Sequence, residues 1–292
     1  MKKAFLQLHI AVFLAGFTGI LGKLITLNEG LLVWYRLMIT AATLWVIAFF
    51  SRRSLRISAP DVLKIFGVGA IAALHWVSFY GSIKYANVSI ALVCFSAIGF
   101  FTALLEPLFF RTRIVPLELL LGTVVIVGIY FIFRFDPAYK TGIIIGLASA
   151  LLGSVFPICN RFFLKKIPAQ TVTLYELTGG FLALTVLLPF YLHLFPTSHI
   201  LPDLKDWFWL FLLSWLCTVI AFNLSMSALH KISAFTVNLT YNLEPVYGIL
   251  LAFAVLGENK YLNSGFYIGF ALIIVAILVQ MVLLWNKRKK AS

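Results

Sequence analysis

Of 292 residues, 62% are hydrophobic and only 11% are charged, which excludes a soluble globular domain, where apolar residues make up about half the chain and charged ones about a quarter. The formal net charge of +13 does not point to nucleic acid, because the Lys and Arg residues sit in short connectors between apolar runs, where orientation in a bilayer accounts for them. Cys94, Cys159 and Cys217 fall inside apolar runs at a spacing that matches no metal motif, so no disulfide, zinc or other cofactor is expected.

The apolar runs are about 20 residues long, the length at which a helix crosses a hydrocarbon core of roughly 30 Å. They are continuous rather than alternating, which favours helices over the strands of a barrel. In chain order the predicted spans are 4–25, 30–50, 62–83, 86–110, 115–134, 141–162, 170–192, 207–229, 233–256 and 262–285. Lys2 and Lys3 precede the first run as in a signal peptide, yet the run is too long and lacks a small-residue cleavage site, so it is expected to stay in the mature protein. The longest connector, His193 to Asp206, carries Pro196, Pro202 and Asp203 and reads as an ordinary surface loop.

With ten spans the connectors alternate sides, and the side holding both termini carries sixteen Lys and Arg against five on the other, Lys23 and Arg36 lying within spans. Both termini are therefore predicted to be cytoplasmic, in the cell membrane. The halves also resemble each other. At an offset of 140, Tyr35, Leu37, Leu44, Val46 and Phe50 meet Tyr175, Leu177, Leu184, Val186 and Phe190, and an offset of about 145 brings the third to fifth spans onto the eighth to tenth. The expected fold is all-α, two five-helix repeats over residues 1–136 and 137–286 with a basic tail at 287–292. An odd number of spans per unit inserts the two in opposite senses, the arrangement that suits alternating access by a carrier.

The five-plus-five count, the basic end of span four at Phe110-Arg111-Thr112-Arg113, and the passage Pro245-Val246-Tyr247-Gly248 through Leu256-Gly257-Glu258 resemble the drug/metabolite transporter superfamily, EamA group, over the whole chain. The resemblance implies a secondary transporter, commonly an exporter of amino acids or related metabolites, with a central cavity between the repeats. Its partners would be a small-molecule substrate, the bilayer and a coupling proton. The first half has Arg111 and Arg113 where the second has Leu-Gly-Glu, so no role is carried onto that position.

Polar residues at membrane depth mark candidate pathways, since a charge at the bilayer centre costs about 2.5–3.5 kcal/mol on insertion scales. Glu244 lies about eleven residues into span nine. Pro245 should free the Tyr241 carbonyl and kink the helix. Asn238, Tyr241, Asn242 and Pro245 share one helical face, with Thr240 and Glu244 on the adjoining stripe. This wall reads either as substrate-facing and proton-coupling or as a polar packing seam. Arg36 and Glu176 occupy equivalent repeat positions, in Tyr-Arg-Leu and Tyr-Glu-Leu. They are read as opposite gates or, alternatively, as a snorkelling arginine and a glutamate meeting water or Lys165. In span three His75 could carry a proton, and Trp76 and Tyr80 could hold a cationic amine by cation-π contact, or all three could be core packing. Glu106 is expected to pair with Arg111 or Arg113 at the cytoplasmic face, and Asn160 and Arg161 to be boundary residues. The predicted cavity lies near the midplane between spans three, four, eight and nine.

Against an intramembrane enzyme, all four aspartates lie at or outside span edges and there is no His-Glu-x-x-His. A channel would be expected to show repeated filter residues, and none is found. A structural membrane protein remains an alternative.

Overall fold

The computed structural model describes residues 2–51, 55–135, 137–229, 231, 237 and 240–291. Among them every long element is helical and no strand occurs. The helices are α1 (Lys2–Leu24), α2 (Glu29–Phe50), α3 (Ala59–Tyr85), α4 (Val88–Phe110), α5 (Pro116–Phe135), α6 (Lys140–Phe163), α7 (Ala169–Leu194), α8 (Leu204–Ser214, continued by Trp215–Ile220 and Ala221–Leu229), α9 (Glu244–Leu256) and α10 (Ser264–Ala291). Nine of these are long and apolar enough to cross a membrane. The tenth, α9, is the shorter described part of the span predicted at 233–256.

Local chemistry sets the helix ends. Asn28 and Asn87 accept hydrogen bonds from Leu31 and Ile90 amides at 2.8 Å, capping α2 and α4, and Ser58 with Pro60 opens α3, each satisfying or removing an amide that has no partner in the first turn. Gly257, at φ +65°, closes α9 in the left-handed conformation that glycine adopts without a Cβ penalty. Arg111, at φ 52°, closes α4 in the same way.

Packing repeats across the halves. α3 lies against α6 and α7, as α8 lies against α1 and α2, and α4 meets α6 as α9 meets α1. The pairs α2–α7, α4–α9 and α5–α10 join corresponding helices. Crossings are close where glycines meet. A Cβ on Gly69 would lie 2.0 Å from the Glu176 carbonyl, and one on Gly269 would lie 2.3 Å from the Gly128 carbonyl.

Two helices are interrupted. α4 is Val88–Phe95 and Ile98–Phe110, separated by a turn at Ser96–Ala97. α9 begins afresh at Glu244 after a turn at Asn242–Leu243, with Pro245 in its first turn, where a missing amide hydrogen costs nothing. The sequence predicted span four to be continuous and span nine to be kinked. Span four is instead broken, and span nine stops and restarts. Ser96 and Asn242 stand 146 residues apart, as do Ala97 and Leu243, and Arg111 and Gly257.

Candidate transport cavity

The breaks in α4 and α9 face one cavity of about 830 Å³. Phe95, Ser96, Ile98 and Gly99 line it from α4 and its break, Tyr241 and Asn242 from the segment just before α9, Glu244 and Pro245 from α9, with His75 of α3, Phe156 of α6, Gly122 and Val125 of α5, and Ile277 and Gln280 of α10. Irregular backbone is tolerated at membrane depth where it borders such a space. The sequence reading placed α3, α4, α8 and α9 around the cavity. The structure replaces α8 with α5, α6 and α10, because α8 is taken up in packing on α1 and α2. Glu244, Tyr241 and Asn242 all reach the wall.

Glu244 sits deep in the bundle, yet its side chain is only half-buried, because it borders the cavity. Tyr241 is held at the wall by a 2.6 Å hydrogen bond to Ser225 of α8. Asn238 lies outside the described residues. His75 is buried between Phe79, Phe95 and Phe156. Its Nδ1 lies 2.8 Å from the Ser149 carbonyl, which can only accept, so Nδ1 carries the hydrogen and Nε2 is the atom that gains or loses a proton.

Arg36, Trp76 and Tyr80 form a second group, outside the cavity wall. The Arg36 guanidinium donates to Tyr80 Oη at 2.8 Å and to Thr218 Oγ1 at 3.0 Å, and stands 4.3 Å from the centre of the Trp76 ring. Arg36 is only 4% exposed, so it does not snorkel as the sequence suggested. The cation over Trp76 is the protein's own rather than a substrate's. Thr218 belongs to the wider turn Trp215–Ile220 of α8, a local distortion of the kind that clusters at functional sites. No carboxylate among the described residues lies within ion-pair distance of Arg36. The Nε has no partner.

Glu176, at the equivalent position of α7, is also buried, and it accepts a 2.6 Å hydrogen bond from Asn160. Asn160, one turn from the end of α6, is its hydrogen-bond partner among the described residues, in place of Lys165. Arg36 and Glu176 are not brought together.

Toward the end bearing both termini, the cavity is bordered by Glu106, Thr112, Arg113 and Glu118. Glu106 forms an exposed ion pair with Arg161 of α6, not with Arg111 or Arg113, and Arg161 lies 4.6 Å from the centre of the Phe110 ring. The opposite end is tied by buried polar contacts that sequence reasoning missed. Asp206, fully buried, accepts from Thr26 N at 2.7 Å and Thr26 Oγ1 at 2.8 Å, with His199 Nε2 at 3.0 Å. The His193–Asp206 connector is therefore strapped to the α1–α2 turn rather than free on the surface. Tyr191 donates to Glu29 at 2.6 Å, and Lys84 donates to the carbonyls of Ile25 and Leu27. Glu258 accepts from Val88 N, Ser89 N and Ser89 Oγ at 2.9, 2.8 and 2.6 Å, capping α4 from the other half of the chain. The only signal for it was the Leu-Gly-Glu segment, which gives no partner.

A ten-helix membrane protein whose two broken helices border one cavity, open toward one end and tied shut at the other, is built as a membrane transporter. The chain belongs to the EamA-like transporter family, which it matches over residues 2–134 and again over 140–282. An uncharacterized transporter of Haemophilus influenzae is 25% identical over 170 residues, which are 52% of this chain and 53% of that protein. The chain thus spans about half the length of the curated relative it matches. A protein of known crystal structure has the same fold at a TM-score of 0.64 and 18% identity, covering 96% of this chain and 98% of its own.

Proposed function

We propose that the protein is a secondary active transporter that exports small metabolites, amino acids or related compounds, by alternating access. The observation that carries the reading is the cavity at the paired helix breaks, open toward the basic end and tied shut at the other. On the Lys and Arg distribution the open end is cytoplasmic, both termini lie there, and the membrane is the cytoplasmic membrane of a bacterium. Units 1–136 and 137–286 rock about the pairs α2–α7, α4–α9 and α5–α10; residues 287–292 are a basic tail. Their opposite orientation makes the outward-facing state the counterpart of this one. Glu244, Tyr241, Asn242 and His75 form the binding and coupling wall, with Glu244 or His75 carrying a coupling proton. Arg36 with Trp76 and Tyr80, and Glu176 with Asn160, are the gate elements on the two sides of it.

Overexpression should raise resistance to toxic amino acid analogues, and the responsible substrate should then move in proteoliposomes. Glu244→Gln is expected to lower that flux at least tenfold. Flux unchanged from pH 5.5 to 8.5 would remove Glu244 from the mechanism.

A further inference from the structure

Charge is unevenly distributed along the cavity. Its charged lining residues are Glu244, Glu106, Glu118 and, among the described residues, one cation, Arg113. Glu106 is engaged with Arg161, and Arg113 lies beyond the left-handed residue that ends α4, so the cation is at the mouth. Glu244 shares the cavity wall with Phe95, Phe156, Tyr241 and the neutral amide of Asn242. Arg36 offers no direct contact there. Its two terminal nitrogens are committed to Tyr80 and Thr218, its plane lies against Trp76, and it is absent from the wall. A carboxylate combined with aromatic rings recognises an ammonium bearing an apolar body, through a charge-assisted hydrogen bond and attraction to the ring faces. A ligand carboxylate in the same place would be desolvated next to Glu244 with no cation among the described residues of that wall to accept it. Sites built around one polar partner discriminate by what their own groups would lose, so such a mismatch is rejected more strongly than an extra methylene.

We infer that the cavity selects its substrate by a single ammonium set on Glu244, the transported class being organic amines that carry an aromatic or aliphatic body and no carboxylate. This rests on the export reading and departs from it in one respect: among the related compounds named there it takes the amines and excludes the amino acids themselves. The cavity volume lies within the range that encloses a small organic ligand. The Phe95 and Phe156 rings that pack on His75 form the apolar end, where the body of the amine lies.

The test uses three probes of one body: phenethylamine, phenylalanine and 3-phenylpropionate, a cation, a zwitterion and an anion at pH 7. Binding is measured by calorimetry on the full chain in nanodiscs, and counterflow in proteoliposomes. Phenethylamine should bind at least tenfold more tightly than phenylalanine, and 3-phenylpropionate should not compete. Glu244→Gln should remove the preference, and Glu244→Asp should keep part of it. Equal or tighter binding of the zwitterion or the anion overturns the proposal, as do an unchanged phenethylamine affinity in Glu244→Gln and the absence of saturable binding below millimolar concentration. Glu244-dependent binding without counterflow would sink the export reading and leave the amine site standing. Counterflow of phenylalanine or 3-phenylpropionate alone would do the reverse.

Discussion

Glu258 joins the end of α9 to the start of α4, and removing its carboxylate should cost more than any other change at that end of the bundle. Three donors converge on it, two of them backbone amides of the first turn of α4, where no carbonyl of the same helix is available. Hydrogen bonds to a charged acceptor contribute about 1.5–3 kcal/mol each, and an abandoned buried donor costs about 1–3 kcal/mol. The favourable placement of an anion at a helix N-terminus adds a few tenths to about 1 kcal/mol. Because these contributions overlap, Glu258→Ala should destabilise by about 4 kcal/mol. Glu258→Gln keeps one acceptor oxygen for Val88 N but turns an amide group toward Ser89 N, so about 2 kcal/mol is expected. Equilibrium unfolding in mixed micelles measures both. Glu258→Ala within about 1 kcal/mol of the native protein, or a Gln variant less stable than the Ala variant, would refute the assignment of Glu258 as a cap.

Other expectations follow from the same geometry. Gly69→Ala places a Cβ 2.0 Å from the Glu176 carbonyl, a backbone atom that cannot swing aside, so the α3–α7 crossing must open at a cost of at least about 2 kcal/mol; Gly67→Ala, with nothing within 4 Å, should be neutral or gain up to about 1 kcal/mol of helix propensity. A loss for Gly69→Ala beside no loss for Gly67→Ala in one unfolding assay would verify the packing, and equal effects would contradict it. Tyr80→Phe deletes the acceptor of one Arg36 nitrogen and should destabilise by about 2 kcal/mol, with a change in Trp76 fluorescence as the ring beneath the guanidinium resettles. Glu106→Gln should alter stability by less than about 1 kcal/mol, since the side chains of the Arg161–Glu106 pair are 58% and 37% exposed.

The membrane class, the described spans and the five-plus-five organisation were legible because they depend on run length and charge counts, which need no partner. Glu244, Tyr241, Asn242 and His75 were found by depth and polarity, and the cavity gathers them. Of the two readings open for Arg36, the snorkelling one fails for a physical reason. Its position along α2 suggested reach to the interface, but burial is decided by Tyr80 and Thr218, which lie 44 and 182 residues away. Asp206 and Glu258 were missed likewise, as acids at span edges whose donors come from distant turns.

The break in α4 shows where sequence logic stops. Pro245 announces the interruption of α9, and the corresponding residue 146 positions earlier is Gly99, with Ser96 and Ala97 in the turn. Proline therefore cannot be the common cause. At Ser96 the amide is shared between the carbonyls of Leu92 and Val93 at 3.2 and 3.1 Å, and its hydroxyl bonds back to Leu92, a tightened turn that serine supports by competing for the backbone. Two different local chemistries thus end in the same geometry at corresponding places. What they share is the open space both turns border, where backbone polar groups released from the helix are not exposed to lipid. Filling that space from the α4 side should then remove the tolerance. Gly99→Leu is expected to abolish amine counterflow while the protein still folds, because a Cβ at Gly99 meets no atom within 4 Å, and full counterflow in a folded variant would show that the break is not part of the transport path.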